Sequence, residues 1–239
     1  MRGDFEAQLR DETRGFAIDA GAESDVLLAA FGGIIFAMGV PSWEFFRQVS
    51  SLDVKRFFAR DLQRCCYLRG IEGLGATVPE AAAAISALIA ELGVRRSVFT
   101  GNSSGGMAAI LFGTLCGADE VVVFSPYTFT DRWNRLRHRD QRHPELGRSL
   151  DAVAAGSRWR DVRPLIRAAG GTTTIHVHYA SLHRLDRVHA ERLAGLPGVV
   201  LHPYPESTHR LIGKIAAAGS LPDIFREAID GSSALTSEQ

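Results

Sequence analysis

Cysteine is scarce in this chain. There are three in 239 residues, Cys65, Cys66 and Cys116. Two are adjacent and no C-x-x-C occurs, which excludes a disulfide framework, a zinc ribbon and a thioredoxin-type redox motif. A reducing cytoplasm is the expected location. Net charge is also lacking: 27 basic residues balance 27 acidic ones, so no global field recruits nucleic acid or an anionic membrane. Lysine is nearly missing, with only Lys55 and Lys214. No apolar run is long enough to span a bilayer. The longest uncharged one, Val26 to Val40, is interrupted by Gly32-Gly33. The start, Met1-Arg2-Gly3-Asp4-Phe5-Glu6, has no apolar stretch like that of a secretory leader. Neither G-x-G-x-x-G nor a loop ending in G-K-[ST] is present, so no dinucleotide, nucleotide or other cofactor is expected. No internal repeat occurs.

What is present is an alternation of apolar runs and helix-period segments. Val26 to Phe31 reads as a strand buried on both faces, and Asp53 to Ala59 as a second. Pro79 opens a helix whose Ile85, Leu88, Ile89 and Leu92 share a face and which Gly93 closes. Arg96 to Thr100, Val121 to Phe124, Thr172 to Tyr179 and Gly198 to Tyr204 are further strands, and a helix from Gly106 ends at Gly117. Strands separated by helices predict an α/β fold, a mostly parallel sheet with helices on both faces. Residues 1–20 are expected to be a polar extension, 21–230 the folded domain and 231–239 a loose tail. Between two strands, residues 131–167 hold ten arginines against five acids. That segment is a candidate lid, with Trp133 and Trp159 as apolar walls around a substrate, or else a solvated crossover. A basic lid would suit an anionic substrate group.

The most informative stretch is Gly101-Asn102-Ser103-Ser104-Gly105, a G-x-S-x-G between a β-prone run and an apolar helix. Such a serine sits on a sharp, strained turn, with glycines where the neighbouring chain leaves no room for a Cβ. With this motif in a strand–turn–helix setting, the chain resembles the α/β-hydrolase superfamily from about Ser24 to Ile229. The resemblance implies a Ser, then Asp or Glu, then His order of catalytic residues. Ser103 is then the nucleophile. His209, the last histidine and placed after the last strand, is the base. Asp186, after the preceding strand, orients it. Asp186 also reads as a helix N-cap. Asp131 is the alternative acid, and Glu206 a more distant one. The resemblance further implies an oxyanion hole built from the Ser104 N–H and a donor in the Phe31-Gly32-Gly33-Ile34 loop. Many relatives have His-Gly where this chain has Phe31-Gly32, which leaves Gly33 and Ile34 both open as donors and puts Phe31 beside the substrate. The loop Arg69 to Gly75 is too degenerate to assign.

One rival signal is His176-x-His178, which places two imidazoles on one strand face as a metal site does. No nearby carboxylate or cysteine completes a ligand set, although His183 and His189 follow, so no metal is expected. The expected function is a cofactor-independent serine hydrolase. It would cleave an ester or thioester of a small or carrier-linked acyl group through an acyl-enzyme. Acyl transfer, C–C cleavage and a non-catalytic ligand-binding role are the alternatives on the same scaffold.

Overall fold

The computed structural model describes residues 4–34 and 43–231. The expected tail beyond Gly231 and the end of the apolar run at 35–40 lie outside the described residues. The chain begins with α1 (Phe5–Arg10), β1 (Phe16–Asp19) and β2 (Val26–Phe31), followed by α2 (Phe46–Val49), β3 (Lys55–Ala59) and α3 (Val78–Glu91). β4 (Arg96–Asn102) leads directly into α4 (Ser104–Cys116), and β5 (Glu120–Phe124) follows. The crossover from β5 contains α5 (Arg132–Arg137), α6 (Pro144–Ala154), a 3-10 turn (Arg158–Arg160) and α7 (Arg163–Ala169). β6 (Thr174–Ala180), α8 (Arg184–Glu191), β7 (Val199–Tyr204), α9 (Leu211–Ala217) and α10 (Leu221–Asp230) complete it.

The strands form one seven-stranded sheet in the order β1-β3-β2-β4-β5-β6-β7. All neighbouring pairs are parallel except β1 with β3. The expected α/β architecture is therefore present. One boundary differs. Within the stretch expected to be a polar extension, the described residues are structured: Asp4 caps α1, and β1 pairs antiparallel with β3 from Phe16↔Ala59 to Asp19↔Arg56. The strand is only four residues long and only Phe16 and Ala17 are buried, so it carries little of the apolar signal that marks a buried strand.

Alternation along β2 shows why the sheet is buried on both sides. Leu27, Ala29 and Phe31 enter one core with residues of α3, α4 and α7. Leu28 and Ala30 enter a second core with residues of α2, α9 and α10. Thr77 caps α3, its hydroxyl accepting from the Glu80 N–H, and Pro79 occupies the first turn. Because β2, β4, β5, β6 and β7 are parallel, the segments that follow them leave the same edge of the sheet. That edge therefore gathers Gly33, Ser103, Tyr127, Asp186 and His209, each within a few residues of a strand end. Among the described residues, no helix is long and apolar enough to cross a membrane.

Candidate active site

Ser103 occupies the single residue between β4 and α4, with φ 54° and ψ −117°. An L-residue held there stores on the order of 1–3 kcal/mol of strain. Tertiary contacts hold it. The Ser103 N–H donates to the Phe124 carbonyl at 3.0 Å, and the Ser103 carbonyl accepts from the Tyr127 N–H at 2.9 Å. The flanking glycines are required by space. A Cβ on Gly101 would lie 2.2 Å from the Gly105 carbonyl oxygen, and one on Gly105 would lie 2.2 Å from that of Phe31. The turn thus closes only because β4, α4 and the end of β2 meet backbone to backbone.

The three side chains singled out from the sequence form one hydrogen-bonded line. His209 Nε2 lies 2.9 Å from Ser103 Oγ, and His209 Nδ1 lies 2.7 Å from Asp186 Oδ1. A carboxylate accepts only, so Nδ1 carries the proton and Nε2 accepts from the serine hydroxyl. Asp186 is buried, whereas the His209 side chain is 32% exposed. Burial opposes the charge on Asp186. The His209 hydrogen bond, the charges of His209 and His183 and the Ser125 hydroxyl outweigh it and hold the carboxyl below its usual range. The alternative acids do other work: Asp131 caps α5 through Asn134, and Glu206 pairs with Lys214. Asp186 is not the cap of its helix either. His183 is, accepting the Asp186 N–H on Nδ1 at 3.3 Å.

The expected oxyanion donors are placed differently. The Gly33 N–H donates to Glu44 Oε2 at 3.1 Å, and the Ile34 N–H donates to the Ser104 hydroxyl oxygen at 2.7 Å. Both lie beside the turn, and both are engaged. Ser104, Gly105 and Gly106 begin α4, so their N–H groups have no carbonyl one turn earlier in the helix. Phe31 is not at a substrate surface. It is wholly buried and stacks on Phe99 and Phe112, because its place on β2 points it into the main core. Trp133 is 79% exposed on α5, and Trp159 packs partly buried against the core with the Arg158 guanidinium over its ring. The rings in contact with His209 are instead Tyr127 and His183.

Several neighbours of the line were not legible from the sequence. Tyr127 follows β5; its N–H donates to the Ser103 carbonyl, and burial pushes its phenol pKa upward. The Arg142 guanidinium lies over the Tyr127 ring at 4.6 Å. Arg142 also binds Asp140 through two hydrogen bonds and comes within 3.6 Å of Asp186 Oδ1. Asp140 accepts from His189 Nε2, whose Nδ1 accepts the Thr128 N–H. Burial pushes His189 down to about 4, despite the Asp140 hydrogen bond. Arg160, from the same arginine-rich segment, likewise turns inward and pairs with Asp151. Glu44 is half-buried, and burial raises it to about 7 against the opposing Gly33 N–H. With Gln48, Asn102 and Ile212 it lines a cleft of about 190 Å³.

Among the described residues, the only metal-capable group is His183, Asp186 and His209, with donor atoms within 4.8 Å of one another. Hydrogen bonds inside the site already use the imidazole nitrogens that face Asp186. His176 and His178 belong to a row across the sheet: His176 contacts Glu120 and His202, and His178 contacts Tyr204.

No sequence-family model matches the chain, and no curated protein matches it in sequence. Solved structures do match in architecture. The capsule O-acetyltransferase of Neisseria meningitidis serogroup A superposes with a TM-score of 0.64 at 12% identity, covering 90% of each chain. Brefeldin A esterase, a bacterial homologue of human hormone sensitive lipase, gives 0.60 at 18% identity, covering 90% of this chain and 72% of that one. Carboxyl esterase 2 from the mycorrhizal fungus Tuber melanosporum gives 0.57 at 15% identity, covering 87% and 79%.

Proposed function

We propose that this chain, which has the α/β-hydrolase fold, is a serine hydrolase that cleaves carboxylic esters through an acyl-enzyme. One observation carries the reading: a serine on a strained turn, an imidazole 2.9 Å from its hydroxyl and a buried carboxylate 2.7 Å behind that imidazole. In the proposed reaction Ser103 Oγ attacks the ester carbonyl while His209 Nε2 takes its proton. Asp186 keeps Nδ1 protonated and stabilises the imidazolium. The first N–H groups of α4 face the negative charge that develops on the carbonyl oxygen. The tetrahedral intermediate collapses, His209 returns the proton to the departing alcohol, and the acyl group stays on Ser103. Water, deprotonated by His209, then releases the acid. Thioesters fit the same steps, because their leaving group departs at least as readily.

The test is labelling with a fluorophosphonate, together with turnover of p-nitrophenyl acetate. Ser103→Ala is expected to abolish both, and Ser104→Ala to retain labelling. Undiminished labelling of folded Ser103→Ala would sink the reading. A second reading is acyl transfer to an alcohol, supported by the similarity to a capsule O-acetyltransferase. It needs the same acyl-enzyme with a sugar or alcohol hydroxyl in place of water. Product analysis with added alcohols separates the two: acylated acceptor forming faster than free acid favours transfer.

A further inference from the structure

The cleft lined by Glu44, Gln48 and Asn102 has no part in the reaction derived above, yet the same elements build it. Asn102 is the residue before Ser103, and Ile212 and Gly213, which also line the cleft, follow shortly after His209. Glu44 packs against the turn as well. Its Oε2 accepts the Gly33 N–H at 3.1 Å. A Cβ placed on Gly33 would lie 3.6 Å from Glu44 Oε1, 3.5 Å from Ser104 Oγ and 3.2 Å from the Asn102 carbonyl oxygen. The Glu44 carboxyl and the nucleophile turn therefore meet around one point.

The chemistry of the lining is selective. Glu44 is its only titratable side chain. Among the described residues, a neutral backbone N–H is the one hydrogen-bond donor to that carboxyl, and no cation pairs with it. The side-chain oxygen of Asn102 is buried with no hydrogen-bond partner. Both groups call for a donor, and a buried carboxylate calls for a positive one. Phe45, Ile212, Ala216 and Leu221 make the rest of the lining apolar. The volume of about 190 Å³ matches about six waters at ~30 Å³ each, enough for a short alkyl chain with a polar head.

We propose that this cleft is a substrate subsite for a primary ammonium group on a short alkyl chain, with Glu44 as its counter-ion. The inference rests on Ser103 being the nucleophile, because adjacency to that turn is what makes the bound group part of the substrate. Glu44 Oε2 stays with the Gly33 N–H, and Oε1 receives the ammonium. The subsite thus carries a sign opposite to that of the arginine-rich crossover. Ammonium binds the charged carboxylate. With Glu44 titrating at about 7, the charged fraction rises from about a tenth at pH 6 to about nine-tenths at pH 8. Affinity should therefore rise about tenfold over that range.

The test is calorimetric titration of the enzyme with n-butylammonium chloride, 1-butanol and sodium butyrate at pH 8, with inhibition of p-nitrophenyl butyrate turnover measured alongside. Butylammonium is expected to bind at least about tenfold tighter than the alcohol or the carboxylate. It should compete with the ester and weaken about tenfold at pH 6. Glu44→Gln should bring it down to the level of the alcohol. Ala216→Phe, which fills the cleft from an exposed position on α9, should block both, and it decides the matter if Glu44→Gln does not fold. Equal or undetectable binding of amine and alcohol to the wild type would overturn the proposal. So would an amine preference that survives Glu44→Gln, binding untouched by Ala216→Phe, or inhibition that is not competitive. Ser103→Ala separates the two levels. If it stays active, the reading of the site fails whatever the cleft binds; if it is inactive and the wild type shows no amine preference, only the subsite fails.

Discussion

Glu44 gives a pH signature opposite in sign to that of most carboxylates. Its side chain accepts the Gly33 N–H and is half-buried beside the proposed nucleophile, and burial raises it from 4.5 to about 7. In the unfolded chain the carboxyl loses its proton near its ordinary value, while the folded protein retains it until about pH 7. Between those two values the folded state binds the extra proton, so stability falls as pH rises, and above about pH 7 the loss is complete. A shift of about 2.5 units corresponds to about 3 kcal/mol at 1.36 kcal/mol per unit, and solvent reaching one edge of the group trims this toward about 2. Glu44→Gln keeps an acceptor for Gly33 and removes the titration. In urea unfolding from about pH 4 to about pH 8, the variant should gain about 2–3 kcal/mol on the wild type as pH rises. Asp61, also raised by burial, to about 6, titrates in both proteins and cancels in the difference. A difference that stays flat across the series would refute the reasoning.

Asp186→Asn keeps the shape of the acid but favours the wrong His209 tautomer; kcat should fall by about 10⁴-fold while circular dichroism stays native. Gly105→Ala forces a methyl to 2.2 Å from the Phe31 carbonyl oxygen and must push α4 off β2. Thermal unfolding should show a loss of at least about 3 kcal/mol, and an unchanged Tm would contradict the packing described for the turn.

Much of the site was legible because its chemistry depends on local order. G-x-S-x-G requires its glycines within five residues, and the backbone contacts of Gly101 and Gly105 supply the steric reason. Asp186 and His209 could be placed because parallel strands send their following loops to one edge. Other features depend on partners distant in the chain. Tyr127 has no local signature, since its contacts are with Ser103 and Arg142, which lie on other segments. Glu44 pairs with Gly33, which lies eleven positions earlier in the chain. Phe31 was misplaced because a sequence shows that a residue ends a strand but not which face it takes there. β1 escaped notice because edge strands need only one partner and little apolar surface.

The bond from Arg142 to Asp140, and from Asp140 to His189, ties the β5–β6 crossover to the same helix that carries Asp186. Trimming that crossover would therefore cut into the scaffold behind Asp186. The solvent side of α5, around the exposed Trp133 and Leu136, carries no such tie, whereas the span from Asp140 to Arg142 does.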